Sequence, residues 1–179
     1  VPYTLSIRER IEIRFCQLID GVSSIGNVFR FDMRGVQTAA GDAIVQVGDE
    51  TVRHDESGLG YTENTLELGV GVLLAQVEAI DQNTMYAHNA FVAAIESAVL
   101  ADHMFVEPAP SGVQLLHKPA RLTERSAAPI LDDQNVYWCA VVFEVEYMHD
   151  YGNPYAYGTI ISALTVTDLP TWSRKKLSA

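Results

Sequence analysis

Five histidines, two cysteines and many carboxylates are the residues of this 179-residue chain that could do chemistry. His54 in His54-Asp55-Glu56 and His149 in His149-Asp150 could each begin an acid–base or metal constellation, because an imidazole beside a carboxylate serves both purposes. Sequence neighbours point apart on a strand, however, and both sites read as loops, so solvated polar residues are the favoured reading. His88 and His103 lie too far apart to share a helical turn, His117 sits beside Lys118 and Pro119, and no HExxH spacing occurs. Carboxylates pair at Asp49-Glu50, Asp55-Glu56 and Asp132-Asp133, but a glycosidase needs two of them facing across a cleft, and 23 acidic residues produce such neighbours by coincidence. Asp132-Asp133-Gln134-Asn135 offers calcium-type oxygens without the EF-hand spacing.

Cys16 and Cys139 lack CxxC spacing and cannot complete a zinc site alone; buried, reduced thiols are expected. Gly69-Val70-Gly71 is the nearest approach to a phosphate loop, yet it lies inside an alternating strand instead of opening a helix. The chain has no dinucleotide fingerprint, P-loop or nucleophile elbow. The expectation is a protein without catalytic residues, bound metal or cofactor.

The elements that must position these residues follow from periodicity. Ser6-Ile7-Arg8-Glu9 fits a capping box. Ile7, Ile11, Phe15 and Leu18 recur at helical spacing with Cys16 and Ile19 beside them, and Gly21 reads as the stop. Strands are expected at residues 27–34 and 43–47. The polar stretch 49–64, with Gly58 and Gly60, is either a long exposed loop or an extended hairpin. Leu66, Leu68, Val70, Val72 and Leu74 then alternate as a half-buried strand whose other face is bare at Gly69 and Gly71. A second helix is predicted over residues 84–101, with Thr84 as N-cap and Phe91, Ile95, Ala98 and Val99 as its buried stripe. After Pro108 and Pro110 come short edge candidates at 113–116 and 120–124, then a loop at 128–135. The longest strand signal covers 136–147, with Cys139, Val141, Phe143, Val145 and Tyr147 facing one way. Residues 148–157 read as a loop and 159–167 as a further strand or an arm. This order describes an α+β fold: a mixed, mainly antiparallel sheet with two principal helices on one face, in a single domain over 1–157 with a C-terminal strand or arm and basic tail at 158–179.

A net charge of −11 argues against a surface dedicated to gripping nucleic-acid phosphates, although not against one past which DNA slides. The N-terminal Val1-Pro2-Tyr3-Thr4 resembles no signal peptide, and no apolar run approaches the ~20 residues of a membrane helix, so a soluble protein assembled in the cytoplasm is expected, without membrane contact. Asp42, Asp49, Glu50, Asp55, Glu56, Glu63 and Glu67 face Arg53 as the one base in their segment. That segment is either a solvated acidic loop or an acidic surface that meets a basic partner or lines a channel. Tyr147, Tyr151, Tyr155 and Tyr157 crowd one turn with Asn153-Pro154; they either line a corner of their own domain or meet a partner.

The layout resembles the tail-terminator family of long-tailed bacteriophages, the minor tail protein U-like and neck proteins. The resemblance is carried by the amphipathic helix from Ile7 to Ile19 closed by Asp20-Gly21-Val22, by Val28-Phe29-Arg30 followed by Ala43-Ile44-Val45-Gln46-Val47-Gly48-Asp49-Glu50, and by the late strand running from Phe143 through His149-Asp150-Tyr151-Gly152-Asn153-Pro154. It covers most of residues 5–155, rests on element order more than on an invariant motif, and does not extend past Tyr155. It implies a structural virion protein at the neck, a ring of usually six copies that caps the tail tube and joins it to the head connector, with genomic DNA passing through the bore unbound. Asp49, Glu50, Asp55, Glu56 and Glu63 are then candidates for a bore or partner-facing surface. Gly69, Gly71, Tyr151, Tyr155, Tyr157, Arg174, Lys175 and Lys176 are candidates for subunit or partner contact. A head-closure, tail-completion or tail-tube protein of related fold is the alternative within phage structure, and a small metal-dependent hydrolase the alternative outside it.

Overall fold

The computed structural model describes residues 5–30, 39–54, 61–75, 80–132 and 136–150. Helix α1 (Ile7–Asp20) starts where the capping box predicts. The Glu9 amide donates to Ser6 Oγ at 3.3 Å, and the Ser6 amide donates to Glu9 Oε2 at 2.8 Å. This reciprocal pair satisfies two of the donors that a helix start leaves unpaired. Gly21 does cap the other end, but with φ −73° it stays right-handed, so the exit is not the left-handed turn that a terminal glycine suggests. Helix α2 (Gln82–Ala101) corrects the expected start. Asp81 is the N-cap, accepting 2.7 Å bonds from both the Thr84 amide and the Thr84 hydroxyl. Thr84 sits in the first turn as the donor instead. The buried positions are His88, Val92, Ile95 and Val99, while Phe91 is only half-buried, so the inward stripe is rotated by about one residue from the predicted one.

Strands β1 (Val28–Arg30), β2 (Ala43–His54), β3 (Tyr61–Ala75), β4 (Lys118–Arg125), β5 (Ile130–Leu131) and β6 (Tyr137–Asp150) form one six-stranded sheet in the order β1-β2-β3-β6-β4, with β5 also on β6. Among the described residues only the β1–β2 pair is parallel. The fold is therefore α+β with a mixed, mainly antiparallel sheet, as the alternation predicts. Residues 50–54 and 62–66 pair as the arms of an extended hairpin in place of the loop; residues 55–60 lie outside the described residues. Three further expectations need correction. Residues 148–150, read as loop, continue β6 because Tyr61, Thr62 and Glu63 of the hairpin supply its partners. Residues 113–116 make an isolated bridge, Val106 to Gln114, and hydrogen-bond back to Phe105 and Met104 instead of entering the sheet. The predicted loop at 128–135 contains β5.

Both helices lie on one sheet face and share one core with it. Ile7, Ile11, Phe15, Cys16 and Ile19 of α1 and Val92, Ile95 and Val99 of α2 meet Val45, Leu66, Leu68, Val70, Val72, Cys139, Val141, Phe143 and Val145. Phe15 sits at its centre, with ring centroids 6.1 Å from Phe105 and 5.9 Å from Phe143. Phe105 reaches it from a left-handed backbone (φ 51°), a conformation that costs energy for a bulky residue and is held here by packing. Two arginine pairs lock α1 to the chain leaving α2: Arg10 grips Glu107 bidentately at 2.7 and 2.6 Å, and Arg14 donates to Asp102 at 2.9 and 2.8 Å.

Candidate functional site

A β-bulge decides where the acids of β2 point. Val47 pairs with Leu68 and Glu50 with Leu66, so Gly48 and Asp49 together oppose the single residue Glu67. Strict alternation would carry Asp49 onto the inner face behind Val45 and Val47. The extra residue turns Glu50 inward instead and leaves Asp49 exposed. Gly48 leaves room at the kink: a Cβ there would lie 2.7 Å from Glu67 Oε1 and 3.0 Å from its Cβ, so the Glu67 side chain would have to shift.

Inside, Glu50 organises a polar network under the N-terminal half of α1. Its Oε1 accepts from Asn64 Nδ2 at 2.9 Å and from the Tyr147 hydroxyl, and its Oε2 accepts from Arg8 at 2.6 Å. Arg8 continues to Glu12 at 3.0 Å, and Arg30 reaches Glu12 from β1. Burial, then the bond to Glu50, pushes the Tyr147 hydroxyl well above the ordinary tyrosine range. The network ties α1, β1, β2, β3 and β6 together, so Glu50 is a structural acceptor and not a free surface acid. Arg8, Glu12 and Asn64 were not singled out by sequence reading; the one available signal is that polar residues interrupt apolar runs at positions facing the core.

The opposite sheet face is covered by neither helix and divides into two regions. Toward the hairpin, Thr51, Arg53, Glu63, Thr65, Lys118, Arg121, Glu144 and Glu146 line a concavity of about 400 Å³. Lys118 pairs with Glu146, and Arg121 with both Glu144 and Glu146, across β4 and β6. The Lys118 ammonium holds the Glu146 carboxyl below its usual range. With three cations balanced by three anions and Arg121 63% exposed, this ladder confers register more than stability. Toward the other end, Ile44, Gln46, Gly69, Gly71, Trp138, Ala140 and Val142 border an apolar trough of about 270 Å³. Gly69 and Gly71 thus lie on the open face, as their spacing predicts.

Of the candidate acids, Asp49 and Glu63 stand exposed on the hairpin and Glu50 is engaged inside; Asp55 and Glu56 lie outside the described residues. Tyr151, Tyr155, Tyr157, Arg174, Lys175 and Lys176 also lie outside them. The sheet brings His54 and His149 to one row, on either side of Thr62. Asp132 accepts from the Val136 amide at 3.0 Å and the Trp138 indole at 2.9 Å, which makes it a turn anchor. Among the described residues no group of three or more His, Cys, Asp or Glu side chains is placed to hold a metal ion. Nor is any described helix long and apolar enough to cross a membrane.

One arrangement escaped the sequence reading. His88 Nε2 lies 2.9 Å from Ser126 Oγ and its Nδ1 lies 3.0 Å from Asn89 Oδ1, the connectivity of a serine nucleophile relay. Its surroundings assign it to packing: His88 is 2% exposed, and Ser126 Oγ also accepts the Ala140 amide at 3.0 Å, which pins the corner between β4 and β5 to β6 beneath α2. Both cysteines are free and buried; burial raises the Cys16 thiol to about 12 and the Cys139 thiol to about 11.

Comparison with protein-family models and with curated protein sequences finds no match to this chain.

Proposed function

We propose that this chain is a structural virion protein that self-associates into a ring, on the family resemblance a hexamer, caps the tail tube of a long-tailed phage and joins it to the head connector. The observation that supports this reading best is the one-sided layering. A six-stranded sheet is sealed by two helices on one face, while the other presents a concave ladder of paired charges and an apolar trough. A subunit in a closed ring needs two different surfaces that fit each other, and a sheet face left open by the described residues, with both apolar and charge-patterned regions, supplies one. The exposed Asp49 and Glu63, together with Asp55 and Glu56, are the acids that would keep passing DNA from sticking.

The test is the solution mass of the purified chain by light scattering behind a sizing column, with and without tail-tube protein. A ring-sized species, alone or on tube ends, supports the reading; a monomer that ignores tube protein removes it. Copy number per particle separates a terminator from an abundant tube protein of related fold.

A further inference from the structure

Between α2 and β4 the chain makes an excursion whose backbone closes on itself. Phe105 donates its amide to the Asp102 carbonyl at 2.9 Å, Glu107 to Val113 at 2.9 Å, Leu115 to Phe105 at 3.1 Å and Leu116 to Met104 at 3.2 Å. The backbone bonds that tie it to the sheet stand at its two feet. There Ala120 donates to the His103 carbonyl at 2.7 Å and His117 to the Glu146 carbonyl at 2.8 Å. Residues 104–116 thus form a compact loop with its ends held together. Side chains make the rest of the attachment. Phe105, Leu115 and Leu116 enter the core, Phe105 against Phe15, while Arg10 and Arg14 of α1 grip Glu107 and Asp102. Two features of this attachment work against it. Phe105 holds a left-handed backbone (φ 51°), which a bulky residue adopts only under constraint. The Arg10–Glu107 pair is buried, with side chains 3% and 10% exposed, so desolvation offsets much of its attraction.

We propose that residues 104–116 are a strap that opens and closes as one unit while the sheet and both helices stay folded, with Arg10 and Arg14 on α1 as its latch. Opening relaxes Phe105, returns Glu107 to water and uncovers Phe15, which is fully buried beneath it. It breaks no bond of the central ladders. Strand β3 is paired on both edges by β2 and β6, and β6 on both edges by β3 and by β4 with β5, so unfolding the sheet is the costlier event. This inference is independent of the ring proposal, since a monomer and a ring subunit can both satisfy it.

The test is native-state hydrogen exchange on the full chain. The amides of Glu107, Leu115 and Leu116 should share one protection factor, about a hundredfold or more below those of Val70 and Val141 in mid-sheet. Low urea should hardly change the strap amides and should steeply accelerate the sheet amides, because the slope follows the surface exposed by each opening. Glu107→Gln, which removes the charge that the latch grips, should speed the strap amides about tenfold or more. Glu50→Ala destabilises closed and open forms alike, so it should speed the sheet amides about tenfold or more and leave the strap amides within about twofold. Strap and sheet amides with one protection factor and one urea slope, or equally accelerated by Glu50→Ala, would mean that the strap opens only with the whole molecule and would overturn the proposal. Strap amides with unrelated protection factors would also overturn it, since the loop would then fray residue by residue. Unchanged strap exchange in Glu107→Gln would overturn the latch.

Discussion

Replacing Glu50 by alanine should destabilise the protein far more than replacing its neighbour Asp49, although the two stand side by side in one acidic stretch. Glu50→Ala strips the acceptor from the Tyr147 hydroxyl, on a residue only 2% exposed; it leaves Asn64 Nδ2, on a residue 6% exposed, with the Tyr147 hydroxyl alone, and leaves Arg8, whose side chain is 42% exposed, with Glu12 alone. A buried donor left without its acceptor costs about 1–3 kcal/mol. The half-exposed Arg8 pair adds no more than about 1 kcal/mol. The expected loss is about 2–5 kcal/mol, which for a domain of this size lowers Tm by roughly 5–15 °C. Asp49→Ala, at an exposed bulge position, should stay within about 0.5 kcal/mol of wild type. Urea titration followed by far-UV circular dichroism measures both, and Glu50→Gln should fall between them because an amide oxygen still accepts. Losses for Glu50→Ala and Asp49→Ala that agree within about 0.5 kcal/mol would refute the reasoning, since they would mean that the bulge does not turn Glu50 inward.

Other consequences are equally open to measurement. Burial raises the Glu107 carboxyl, but the Arg10 fork and the Ser111 hydroxyl outweigh it and hold the group below its usual range. With a folded value depressed, the unfolded chain binds more protons, so this stabilisation is complete above the ordinary carboxyl value near ~4.3 and is lost as pH falls through the depressed one. Glu107→Gln should therefore flatten the acid side of a stability–pH profile. Phe15→Ala, which empties the ring cluster with Phe105 and Phe143, should cost about 3–5 kcal/mol by chemical denaturation. The Cys16 and Cys139 thiols, raised by burial to about 12 and about 11, should resist maleimide at neutral pH and label together on unfolding; fast labelling of the native protein would contradict their burial. If the acids of the hairpin line a DNA passage, Asp49→Asn, Asp55→Asn, Glu56→Gln and Glu63→Gln combined should leave particles intact and slow ejection; normal particles with unchanged ejection would discard that role.

Much of the architecture was legible because it is written in local periodicity. The unbroken alternation from Leu66 to Leu74 and from Cys139 to Tyr147 assigned the inner faces of β3 and β6, and the capping box at Ser6 and Glu9 located the start of α1. Each of these signals needs only a few neighbouring residues. The same local reading put the second N-cap at Thr84 because threonine is an acceptable cap. It missed Asp81, whose carboxylate accepts from Thr84 itself and is the better acceptor.

What the amino-acid sequence determined by itself was the pair of helices, the strands β1, β2, β3, β4 and β6, and the inward side of β3 and β6; it also expected a strand at residues 113–116, where an isolated bridge stands, and it missed β5. Tertiary structure alone decided which acids remain free. The bulge at Gly48-Asp49 is a property of two strands, a count of two residues against one, and it cannot be seen in β2 until β3 is laid beside it. The same holds for the open face. Two glycines in a strand have a meaning only when the space above them is known, and that space exists because both helices went to the other side of the sheet.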